Sequence, residues 1–120
     1  MLEDDESYLN EKGYDWSVQQ DASHGNCLVI KDFPINFEKF SVNKTDLLVI
    51  IPPQYNNVAL DMFYVKPEVK LKDGQYPQAA DQSFNCLGEI WQRFSRHITN
   101  WQPGLDAIHS FLSLVKKEFG

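Results

Sequence analysis

Cysteine is scarce in this chain of 120 residues, with only Cys27 and Cys86, far apart and outside any CxxC pattern. Three histidines, His24, His97 and His109, show no metal-ligand spacing with each other or with the cysteines, so no metal site is expected. One disulfide is conceivable, but a cytosolic chain would hold both thiols reduced. Long apolar runs are missing. The longest, Leu47 to Ile51, ends at Pro52-Pro53, far short of the ~18–20 residues of a membrane span. The start, Met1-Leu2-Glu3-Asp4-Asp5, has neither a basic segment nor an apolar stretch, so no secretory signal is expected and the cytoplasm is the expected location. Basic excess is also missing: 11 Lys and Arg stand against 17 Asp and Glu, a net charge of −6. That argues against a nucleic-acid binder, which carries a basic stripe. There is no internal repeat and no low-complexity segment.

What is present suits a folded chain. Hydrophobic residues make up 42%, charged residues 23% and aromatics 13%, which is ordinary for a globular protein with one core, so residues 1–120 are expected to form a single domain. Residues 3 to 12 begin acidic and stop at Gly13, as a short helix does. Asp21 to Asn26 is a turn by composition. Strands are expected at 27–33, 45–51 and 59–65, each β-branched or aromatic and each bounded by proline or a turn. Lys66 to Asn85, with Pro67, Asp73-Gly74 and Pro77, reads as a long surface loop. Leu87, Ile90, Trp91 and Phe94 recur at helical spacing. After Asn100 to Gly104, with Pro103 suited to a first helical position, Leu105, Ile108, Leu112, Val115 and Phe119 define one face of a terminal helix. Strands with short connections pair antiparallel and need cover on one face, so the expected class is α+β.

Four local features, in order, resemble the ubiquitin-conjugating enzymes. Ile51-Pro52-Pro53-Gln54-Tyr55 stands where that family has a proline-and-tyrosine step between strands. Met62-Phe63-Tyr64 matches a strand ending in aromatics. Gly74 and then Asn85-Cys86-Leu87 match a glycine followed by the cysteine segment. Trp101-Gln102-Pro103 leads into a leucine-rich helix. Trp91 to His97 resembles a signature of a bacterial branch that occurs beside ubiquitin-like proteins and activating enzymes. The resemblance covers nearly the whole chain. It implies an N-terminal helix, a four-stranded antiparallel meander, a cysteine-bearing loop and C-terminal helices. It also implies a thioester of a ubiquitin-like protein on Cys86, passed to an amine, with no cofactor because ATP is used by the activating partner. The family's His-Pro-Asn triplet before the cysteine is absent, so the group that would stabilise the charged intermediate is unassigned. A catalytically inactive binding module that presents a ubiquitin-like protein or scaffolds its activating enzyme is the alternative.

Two readings stand open for each candidate residue. Cys86 is a nucleophile near a helix start, or a small buried residue; an exposed thiol with a lowered pKa would mark the first. His97 is a general base for the incoming amine, or a histidine closing a helix. Arg93 and Arg96 form a docking patch, or a solvated face. Trp91 is a core residue or part of the binding surface, where the resemblance also places Tyr55. Asp81, Gln82 and Asn85 are expected to line a shallow groove beside Cys86. Cys27 reads as packing.

Overall fold

The computed structural model describes all 120 residues. Eight elements follow in order: α1 (Glu3–Glu11), β1 (Asp15–Asp21), β2 (Gly25–Pro34), β3 (Lys44–Ile50), β4 (Asp61–Lys66), β5 (Gln82–Cys86), β6 (Glu89–His97) and α2 (Ile108–Phe119). The six strands form one antiparallel sheet in the order β1-β2-β3-β4-β6-β5. The class is α+β, but the four-stranded meander with several C-terminal helices is not what forms: there are six strands, and one helix follows them. The strands expected at 27–33, 45–51 and 59–65 are found as β2, β3 and β4, with ends moved by no more than two residues.

Three elements differ from expectation, each for a local reason. β1, Asp-Trp-Ser-Val-Gln-Gln-Asp, is mostly polar and exposed. It forms by pairing along β2 from Asp15↔Lys31 to Asp21↔Gly25, and an edge strand with little to bury needs no apolar pattern. The stripe Leu87, Ile90, Trp91, Phe94 is not helical. Leu87 and Gly88 both take positive φ, 54° and 72°, the pattern of a two-residue hairpin turn. The residues after the turn run as β6, with Trp91 facing one side of the sheet and Phe94 the other. Apolar residues three apart fit a strand buried on both faces as well as they fit a helix. The terminal helix begins at Ile108, after turns that include Gly104 at φ 85°. Leu105 is left 70% exposed, not on the helix face.

One face of the sheet carries both helices and the larger core. Phe63 and Phe94 stack with centroids 4.8 Å apart, and Phe119 of α2 meets both edge-on at 5.6 and 5.3 Å. Ile108, Phe111, Leu112, Val115 and Phe119 all point into this core, which is why α2 packs here. The N-termini of the two helices meet at Asp5. Its carboxylate accepts from Leu2 N at 3.0 Å and from Ile108 N at 3.4 Å, and the Tyr55 hydroxyl accepts from Ile108 N at 2.8 Å. Two helix-end amides are thereby satisfied by one buried carboxylate.

No helix covers the opposite face, yet Cys27, Val29, Leu48, Tyr64, Cys86 and Trp91 form a buried cluster on it. The sheet curls so that the β5–β6 hairpin lies back over this face, and its tip reaches the β1–β2 turn from the far end of the strand order. No helix is long and apolar enough to cross a membrane.

Candidate functional site

Cys86 is the last residue of β5, not part of a loop and not at a helix start. It opposes Glu89 across the hairpin, and the Trp91 indole N–H donates to its carbonyl at 3.0 Å. Its side chain points into the curl, 2% exposed, with Sγ 3.6 Å from Sγ of Cys27, which is fully buried. Burial is the main cause that pushes the Cys86 thiol up from an ordinary 9.0 to about 12, and the neighbouring Cys27 and the negative Asp21 add to it. Burial raises Cys27 in the same direction. At pH 7 a thiol near 12 is thiolate only about one part in 10^5.

The surroundings of Cys86 come from the β1–β2 turn, which carried no functional signal in the sequence. The Asp21 carboxylate accepts from Leu87 N at 2.7 Å and from Ser23 N and His24 N, both at 2.9 Å. Those bonds, the one from Leu87 first, hold its pKa below the ordinary carboxylate value. The His24 ring lies 3.2 Å from the Asn85 carbonyl and packs on Phe84 with centroids 4.5 Å apart. Only the composition of 21–26 as a turn pointed to this segment. Its meeting with Cys86 depends on the curl.

The other candidates are dispersed. His97 is exposed at the far end of the 9-residue β6, opposite Asp61, about 26 Å along the strand from the end that faces Cys86. Arg93 and Arg96 do not share a patch. Arg93 pairs in register with Tyr64 on the curled face, its Nε buried without a partner. Arg96 turns to the helical face, where its Nε donates to Glu118 of α2 at 2.6 Å and its guanidinium lies over Phe94. Trp91 is buried, with Lys66 Nζ 5.4 Å from its ring centre. Tyr55 sits under both helices, its hydroxyl pKa raised by burial and by Asp5.

The loop after β4 ends earlier than expected, at β5, and is tied down by Gln92, which the sequence marked only as a member of the Trp91–His97 segment. The Gln92 side chain accepts from Val69 N at 2.6 Å and donates to the carbonyls of Val69 and Ala80 at 3.0 and 2.8 Å. Between this loop and the hairpin runs a groove of about 150 Å³ lined by Lys66, Tyr76, Asp81, Gln82, Ile90 and Trp91, among others. Asp81 and Gln82 line it, but Asn85 and Cys86 do not, so it is not the groove at Cys86 that was expected. Ile90 is 69% exposed at its edge. The larger hollows, of about 440, 510 and 400 Å³, are likewise lined without Cys86.

These features describe a small curled-sheet domain with helices on one face, a cysteine set inside the curl, and an open groove that the cysteine does not line. The family model of the prokaryotic E2 family E matches residues 1–120, and the chain belongs to that family, within the E2 or ubiquitin-conjugating class. No curated protein and no solved structure matches it.

Proposed function

We propose that this E2-family chain binds without transferring: it presents a ubiquitin-like protein alongside the activating enzyme and is not itself acylated. The burial of the Cys86 sulfur against Cys27 carries this reading. Accepting an acyl group from another enzyme's thioester requires a thiolate that the incoming carbonyl can reach. A cysteine only 2% exposed, with its pKa near 12, meets neither requirement. The missing His-Pro-Asn triplet and the distance of His97 from Cys86 support the same reading: neither the family's asparagine nor the expected base stands at the sulfur, and the nearby Asp21 carboxylate and His24 ring are engaged with Leu87 N and the Asn85 carbonyl. The open groove beside the hairpin, with Ile90 at its edge, offers an extended protein tail an apolar contact and polar flanks.

The test mixes the protein with an activating enzyme, ATP and a ubiquitin-like protein from the same pathway, and follows it on a non-reducing gel and by calorimetry. The expected result is binding of the ubiquitin-like protein, unchanged in Cys86→Ser and weakened at least tenfold in Ile90→Asp, with no reductant-sensitive adduct. An adduct that reductant removes and Cys86→Ser abolishes would overturn this reading and establish transfer through a thioester on Cys86.

A further inference from the structure

The two cysteines meet although their strands lie far apart in the sheet. β2 is second in the strand order and β5 is last, yet the curl sets their sulfurs 3.6 Å apart across 59 residues of chain. Neither thiol has a strong partner elsewhere: Cys27 Sγ donates to the Gly25 carbonyl at 3.5 Å, and the Asp21 carboxylate lies near Cys86. The backbone on both sides is clamped, with Leu87 N bonded to Asp21 and the Asn85 carbonyl against His24. The pair is therefore held in place by contacts that do not involve sulfur. Its approach to Cys86 is short, because Asn85 and Gly88 are exposed and Leu87 is half-buried, so fraying of the two-residue turn uncovers the thiol.

We propose that Cys27 and Cys86 form a reversible intramolecular disulfide that latches the tip of the β5–β6 hairpin onto the start of β2. The oxidant is a low-molecular-weight disulfide, R–S–S–R. Cys86 loses its proton and attacks one sulfur, forming a mixed disulfide and releasing one thiolate, which takes up that proton. Cys27 then loses its proton and attacks the Cys86 sulfur, forming the protein disulfide and releasing the second R–SH. The protein dithiol gives up two electrons, and the small disulfide is reduced to two thiols. Burial of both thiols makes the first attack slow and routes it through the opened tip. The bond closes a long loop, so the oxidised protein should melt about 10 °C higher than the reduced one. The latch does not depend on whether Cys86 is ever acylated, and its test needs neither the ubiquitin-like protein nor the activating enzyme.

The reduced protein is incubated in native buffer with oxidised glutathione, quenched in acid, unfolded and alkylated. Intact mass and a peptide map are then read. The expected product is a monomer lighter by two hydrogen atoms, with no alkyl groups, the Cys27 and Cys86 peptides joined, and a raised Tm that dithiothreitol reverses. Cys27→Ser under the same treatment should show no rise in Tm. Full alkylation of both thiols, a glutathione mixed disulfide on Cys86 that persists beside a free Cys27, or a link between two chains would each overturn the proposal. If Cys27→Ser does not fold, the peptide map of the unaltered protein still decides the matter.

Discussion

Gln92 holds the irregular segment between β4 and β5 against the sheet with one amide. Its three bonds satisfy the Val69 N–H, the Val69 carbonyl and the Ala80 carbonyl in the interior. Gln92→Ala leaves all three groups unpaired and should destabilise the protein by about 3 kcal/mol, read as a lowered urea midpoint. Cys86 yields a second test at this scale. Its pKa near 12 against an ordinary 9.0 means that iodoacetamide at pH 7 should alkylate it about 10^3 times more slowly in the native protein than in the unfolded chain. The sign for stability follows: the folded state holds the proton more tightly, so this contribution is complete below pH 9 and is lost as pH rises from 9 toward 12. Of these residues the sequence marked Cys86, by its place in a resemblance, but not its environment. It marked Gln92 only as one member of the Trp91–His97 segment and gave no hint of its role, because a glutamine between Trp91 and Arg93 reads as solvent-facing until a loop is known to fold onto it.

The β5–β6 hairpin shows where local pattern ran out at the scale of elements. β2, β3 and β4 were legible because each is an apolar, β-branched run closed by turn residues, and α2 because its apolar residues keep helical spacing over three turns. The hairpin showed in the sequence only a helical spacing in Leu87, Ile90, Trp91 and Phe94; the structure has a turn at Leu87-Gly88 instead. The turn prevails because Gly88 at φ 72° costs little where a helix would have to absorb a glycine, and because Trp91 and Phe94 each find a core on opposite faces. A Cβ at Gly88 meets nothing within 4 Å, so Gly88→Val tests the backbone alone. A β-branched residue forced to positive φ should cost about 1–2 kcal/mol, seen as a lower Tm with unchanged helical circular dichroism.

At the scale of the whole molecule, the closure of the curl is the feature that no segment announces. Asp21 ends β1 and Leu87 sits at a hairpin tip; only the accumulated twist of six strands brings the two together. Acidic composition was legible and agrees with a fold whose edge strand β1 is mostly polar. The closing contacts span 59, 61 and 66 residues, longer separations than those inside any of the hairpins. Their order in time follows from this. The β1–β2 and β5–β6 pairs can zip locally, whereas the tip can dock only after β3 and β4 have set the sheet's twist, so docking belongs after the rate-limiting barrier. In stopped-flow urea jumps, Asp21→Ala should therefore steepen nothing and delay nothing on the refolding limb, while the unfolding limb shifts to faster rates. The hairpin tip then governs how long the molecule stays native and has no part in how quickly it gets there.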